Sequence, residues 1–171
     1  MDLITVDKSR FKDAIKAYFL WKDLDTIIRT SCTRGVNIPE TITENLLCFV
    51  TGFKLNKGSG GDAYDEASKK VIEIKATSNF DRDTSSFSPK ENFDALYFVR
   101  LEKKDDVMYF YNLEMTSIDL KVIKVNKTQF LGDQQEQGRR PRFSIIKFII
   151  EPKGLNPFAK IDLRTQKVEK L

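Results

Sequence analysis

Hydrophobic positions recur along this chain with two different periods. Between residues 7 and 33, Phe11, Ile15, Tyr18 and Phe19, then Leu24, Ile27 and Ile28, fall at helical spacing and predict a long helix, with Trp21-Lys22-Asp23 as the place where it bends or breaks. A second helix is expected over 38–51. Asn37 suits its N-cap, Pro39 its first turn and Gly52 its end, and Glu40 follows Asn37 at capping-box spacing. Ile42, Leu46, Phe49 and Val50 mark the inner side of that helix, with Glu44 elsewhere. A basic glycine-rich loop, 54–61, leads to short strands over 62–66 and 71–76, joined by 67–70. After a polar loop, Ser88-Pro89-Lys90-Glu91 reads as the capping-box start of a short helix. Strands over 95–101 and 107–113 flank a charged turn. Residues 116–125 read as helix, 126–142 as loop, and 143–150 (FSIIKFII), apolar on both faces, as a buried strand. Helices before and between strands indicate an α/β or α+β fold with a central mixed sheet flanked by helices.

The 171 residues suit a single domain. No apolar run approaches 18 residues, and Asp2, Asp7 and Asp13 make the first 20 residues unlike a signal peptide, so a cytoplasmic location is expected. Composition narrows the chemistry more sharply, because the chain has no histidine. Imidazole bases, serine-histidine and cysteine-histidine catalysis, and histidine-ligated zinc are all excluded. Cys32 and Cys48 alone cannot build a four-cysteine zinc site or a disulfide framework. Carboxylates, lysine, arginine, tyrosine, hydroxyls and an oxygen-held metal remain. The net charge of +4 is unevenly placed, since residues 139–171 hold nine basic and three acidic side chains. Such a segment suits a polyanion, or is a solvated basic tail.

Residues 60–76 (GGDAYDEASKKVIEIKA) carry the candidate chemistry. Strand alternation puts Val71, Glu73 and Lys75 on one face, and Ile72, Ile74 and Ala76 on the core face. Folding the hairpin about Ser68-Lys69 sets residue 66 against 71 and Asp62 against Lys75, diagonal to Glu73 on the same face. Two carboxylates so close repel unless a cation lies between them, and hard Mg²⁺ accepts an all-oxygen ligand set. Lys75 stands where it can orient or deprotonate a water, or steady a phosphate charge. The spacing alone also fits a surface hairpin with a Lys-Glu-Asp ion-pair patch.

A helix bearing Glu44, then Gly61-Asp62, then Glu73-Ile74-Lys75 on an apolar strand, resembles the PD-(D/E)XK nuclease superfamily. Residues 54–89 and the later GRRPRFS, 138–144, are similar to small type II restriction endonucleases, nearest to the group that cleaves GCNGC sites. The signature's leading proline is Gly61 here. The resemblance spans residues 37–150. It implies that Asp62 and Glu73 bind a divalent metal, Mg²⁺ with Mn²⁺ as a substitute, that the Ile74 carbonyl is an extra ligand, and that Lys75 serves the attacking water. Glu44 matches the helix glutamate that often completes such a site, or is an exposed helix carboxylate. Asp65 competes with Asp62 but faces the other way, which suits a turn role or one supporting the site's ligands from behind. The resemblance further implies double-strand cleavage of DNA to 5′-phosphate and 3′-hydroxyl ends, and a homodimer on a palindromic site.

For DNA contact the candidates are Gln134, Gln135, Gln137, Arg139, Arg140 and Arg142 in one irregular segment, opening a basic region at about 134–171. Thr77, Ser78 and Asn79 leave the catalytic strand and either touch the scissile strand's backbone or serve simple turn chemistry, and Lys54 and Lys57 are candidates to guide phosphates near the metal. Two alternatives stay open: a Holliday-junction or mismatch endonuclease of the same fold, and a non-catalytic nucleic-acid-binding module.

Overall fold

The computed structural model describes residues 1–171. Its main sheet has eight strands in the order β1-β2-β3-β4-β6-β7-β9-β10. They are β1 (Leu3–Thr5), β2 (Lys54–Asn56), β3 (Ala63–Asp65), β4 (Lys70–Thr77), β6 (Ala95–Glu102), β7 (Val107–Asn112), β9 (Ala159–Asp162) and β10 (Lys167–Lys170). Only β4 and β6 run parallel, so the sheet is mixed and the fold is α+β. A separate two-stranded ribbon joins β5 (Ser85–Ser86) to β8 (Arg142–Phe143).

The central strands are buried on both faces, and their alternation sorts side chains into two cores. Val99, Leu101, Met108, Phe110, Ile72 and Ile74 pack with α1 (Lys8–Arg29) and α2 (Glu40–Thr51). Leu96, Phe98 and Tyr111 face the other way, among Phe87, Phe143, α3 (Ser117–Leu120) and α4 (Leu131–Glu136). The second core is closed by a π-helical turn, Ile146–Ile150, that runs into α5 (Glu151–Lys153).

Several expectations are corrected. Helix α1 runs unbroken through Trp21-Lys22-Asp23 because Trp21 is buried, with its indole N–H bonded to the Val36 carbonyl at 3.0 Å, while Lys22 reaches Asp106. Helix α2 starts at Glu40 with Pro39 in the cap position and no side-chain cap, so Asn37 lies outside it. Gly52 ends it in the left-handed conformation, as expected. Residues 54–56 form a strand rather than loop, held between β1 and β3. No helix follows Ser88-Pro89-Lys90-Glu91, and only a four-residue helix, α3, forms within 116–125. Gln134 and Gln135 lie on α4 rather than in loop.

The largest change is at 143–150. Ile145, Ile146, Ile149 and Ile150 are buried while Lys147 and Phe148 are exposed, which is the pattern of a helix turn. A run apolar almost throughout carries no period to separate strand from helix. The deciding group is distant in sequence: the Asp83 carboxylate accepts the amides of Ile145 (2.8 Å) and Ile146 (3.1 Å), capping the turn.

Candidate active site

The hairpin register sets the site. Ala63 pairs with Ile72, Tyr64 with Val71 and Asp65 with Lys70, two residues from the expected register. The pairing ends at Ala63 opposite Ile72, and the Asp62 amide also bonds the Ile72 carbonyl, so Asp62 does not stand opposite Lys75. Asp65 fixes the turn, accepting the Ala67 amide (3.0 Å) and the Ser68 hydroxyl (2.5 Å), which gives it the turn role expected of it. The glycine-rich stretch is held by Asn56, whose side chain accepts the Asp2 and Gly58 amides and donates to the Gly61 carbonyl at 2.9 Å. Gly61 sits at φ +85°, and a Cβ there would come within 2.4 Å of Val71 Cγ1. The residue standing in the signature's proline position is therefore one that only glycine fills without strain.

Asp62 donates its backbone N–H to the Ile72 carbonyl at 2.9 Å, and its Oδ2 accepts the Ile74 N–H at 2.7 Å. Both bonds use the β3-facing edge of β4. The Ile74 carbonyl shares that direction, beyond the last paired residue of β3. Glu73, 6% exposed, bonds the Lys75 ammonium. The same ammonium donates to Glu91 Oε1 at 3.0 Å and lies 5.2 Å above the Phe87 ring.

Burial raises the Glu73 carboxyl well above the carboxylate range. Lys75 opposes this, while the neighbouring Asp62 and Glu91 carboxyls add to it. Burial also raises Asp62, despite the Ile74 amide and Lys75. Lys75 is shifted up, because Glu73 and Glu91 outweigh its own desolvation, so it stays an ammonium. Asp62, Glu73 and Glu91 crowd around one lysine, and the raised Asp62 and Glu73 carboxyls ease that crowding by holding protons that a bound cation would displace. This is a donor set of hard oxygens that fits a divalent cation. No three acidic or cysteine side chains close around one point, so the fit rests on two carboxylates and a backbone carbonyl.

These groups line one cleft of about 930 Å³. Its walls include Thr77, Ser78, Asn79, Arg140 and Arg142, as well as Arg29, Asn37, Glu40, Arg82, Asp83 and Glu91, none of which was assigned to the site from sequence. Glu44 is outside the lining; burial followed by the charge of Asp62 raises its carboxyl to about 7. Glu40, one turn earlier on α2, is the helix carboxylate that faces the cleft. Thr77 and Asn79 shape the turn after β4, the Thr77 hydroxyl donating to the Arg82 carbonyl at 2.9 Å. Gln137 and Arg139 are exposed outside the cleft. Lys54 is bonded to Thr5 and Glu66 on β2, and Lys57 is exposed beyond it, both outside the lining. Gln134 bonds Gln129, whereas Gln135 donates to the Ser88 carbonyl at 2.9 Å. The rest of the basic region divides, with β9 and β10 forming the far edge of the sheet. Glu91 left one trace in the sequence, the Ser-x-x-Glu spacing, which was read as a helix start; Arg82 and Arg29 left none.

A family model described as Bsp6I restriction endonuclease matches residues 6–152. A curated protein, the type II restriction enzyme Bsp6I of Bacillus sp. (strain RFL6), is 62% identical over 170 residues, covering 99% of this chain and 98% of that protein. No solved structure matches. No helix is long and apolar enough to cross a membrane.

Proposed function

Since the chain belongs to the Bsp6I restriction endonuclease family, we propose that it is a type II site-specific deoxyribonuclease of a restriction-modification system. It cuts both strands of DNA by phosphodiester hydrolysis, in the cytoplasm, with Mg²⁺ as cofactor and Mn²⁺ able to replace it. The observation that carries this reading is that Asp62, tied by Oδ2 to the Ile74 amide, lines the same cleft as Glu73 and its ion-pair partner Lys75.

Asp62, Glu73 and the Ile74 carbonyl would hold the metal. When bound, the metal supplies positive charge for the scissile phosphate and acidifies a water. Lys75 acts as a charged hydrogen-bond donor toward the attacking water or a phosphate oxygen, since its two carboxylate partners keep it protonated. Glu40 stands nearer the cleft than Glu44 as a helix carboxylate for the site. Arg140 and Arg142 face the same cleft and are assigned to DNA, with Arg29 and Arg82 adding charge for phosphates. Ser78 and Asn79 lie beside the scissile strand in this reading. One cleft per chain and a palindromic GCNGC site call for a homodimer with two-fold symmetry.

Digestion of plasmid DNA with and without Mg²⁺ tests this. Discrete Mg²⁺-dependent fragments are expected. Cleavage confined to branched or mismatched DNA would reassign the substrate, and binding without cleavage would remove the enzyme.

A further inference from the structure

The segment 85–91 lies outside the main sheet, yet it touches both halves of the cleft. On one side β5 pairs with β8, Ser85 opposite Phe143 and Ser86 opposite Arg142. The Phe87 amide donates to the Pro141 carbonyl at 3.1 Å, and the Phe87 ring stacks on Phe143 with centroids 5.3 Å apart at 14°. Gln135 reaches from α4 to the Ser88 carbonyl. On the other side Phe87 lies beneath the Lys75 ammonium and Glu91 binds that ammonium.

Glu91 is built for this contact. Its Oε2 accepts the Ser88 amide at 2.7 Å, which fixes the carboxylate and leaves Oε1 for Lys75. Its side chain is 13% exposed, and that of Lys75 19%. The bond to Ser88 is the reciprocal half of a capping box, but no helix follows for it to cap. Lys75 has two anionic partners, Glu73 and Glu91. Glu73 would also hold the metal, whereas Glu91 would be the anchor of Lys75 that is not one of the proposed ligands.

We propose that Glu91 is a positioning residue for Lys75, and that the Ser88–Glu91 turn transmits to Lys75 the placement of the segment bearing Gln135, Arg140 and Arg142. This rests on the nuclease reading above. The physical warrant is a continuous set of packed rings and hydrogen bonds from β8 to the ammonium, with no other contact to Lys75 from that side of the cleft that is as direct.

Glu91→Gln separates this role from a turn lock. The amide oxygen still accepts the Ser88 N–H, while the NH₂ group turns toward Lys75 and no longer holds its charge. Single-turnover cleavage of a GCNGC duplex is expected to slow roughly 10- to 100-fold in both Glu91→Gln and Glu91→Ala. Duplex affinity in Ca²⁺, Mn²⁺ affinity by calorimetry, and the thermal midpoint of Glu91→Gln should all stay near wild type. Adding Gln135→Ala to Glu91→Gln should slow cleavage no further, because both act through the same turn. A wild-type rate in Glu91→Gln, or a rate loss matched by an equal loss of duplex affinity, overturns the positioning role. Fully multiplicative losses in the double variant overturn the transmission. A wild-type protein that cleaves no DNA overturns the nuclease reading and this proposal together, whereas wild-type cleavage with an intact Glu91→Gln rate overturns this proposal alone.

Discussion

The carboxylate of Asp62 accepts the backbone N–H of Ile74 at 2.7 Å, across the point where β3 has ended and β4 continues. One oxygen of the acid is thereby tied to the sheet, and the other is left to the cleft. Asp62→Asn keeps an acceptor for Ile74 and removes only the charge. It is expected to fold with a thermal midpoint at or above wild type, because it relieves repulsion with Glu73. Cleavage should fall by at least about 100-fold, and Mn²⁺ affinity with it. Calorimetric titration and a melting curve on the same sample check both halves.

Arg142 and Arg139 are three residues apart, but only Arg142 lines the cleft. Arg142→Ala is expected to weaken binding by about 1–3 kcal/mol and relax sequence choice if it reads a base. If it holds a phosphate, the salt dependence of log K falls by about one unit and sequence choice persists. Arg139→Ala should change either quantity little. Duplex affinity across a salt series distinguishes these outcomes.

Asp83 joins the loop after β4 to the start of the helical segment that follows Arg142, bonding the Ser144 hydroxyl at 2.6 Å and the amides of Ile145 and Ile146. Asp83→Ala leaves both amides without a cap. A loss of about 1–2 kcal/mol in chemical denaturation is expected, with weaker duplex binding as Arg140 and Arg142 lose their fixed base.

Far from the cleft, Asp106 ties α1 to the β9–β10 hairpin. It is 1% exposed and accepts bonds from Tyr18 (2.5 Å), Arg164 (2.6 Å) and Lys22. Burial raises its carboxyl, but these three donors outweigh burial and hold it below the usual range. A depressed native pKa adds stability that is present above the unfolded value of about 3.9 and lost as pH falls through the lower native one. Asp106 sits at φ +57°, a conformation asparagine tolerates, so Asp106→Asn removes charge without backbone strain. Lys22 and Arg164 can turn toward solvent, so a cost of about 1–3 kcal/mol at neutral pH is expected. The gap to wild type should narrow below about pH 4, as read from melting curves between neutral and acid pH.

Glu73 and Lys75 could be placed on one face from sequence because a strand's period of two is insensitive to an even slip in register, and Asp62 lines the same cleft. The slip itself came from the turn, which Asp65 sets through Ala67 and Ser68 rather than centring it on Ser68-Lys69. Glu91 meets Lys75 across a separation of 16 residues, and its only local sign was a cap for a helix that does not form. The helical turn after Phe143 was hidden for a related reason. An apolar run offered no period, and its cap is supplied by Asp83, 62 residues before Ile145. Local pattern therefore revealed the strand that carries Glu73 and Lys75, while the opposite wall of the cleft depends on long-range bonds.

The central claim is that Asp62 and Glu73 form a metal-dependent DNA-cutting centre. It is tested most directly by sequencing the fragment ends left when wild type and Glu73→Ala digest the same plasmid in Mg²⁺. The expected result is wild-type ends at one repeated sequence, GCNGC, carrying 5′-phosphates, and an uncut plasmid with a folded Glu73→Ala protein. Ends produced equally by Glu73→Ala, or an uncut plasmid with folded wild type, would contradict it.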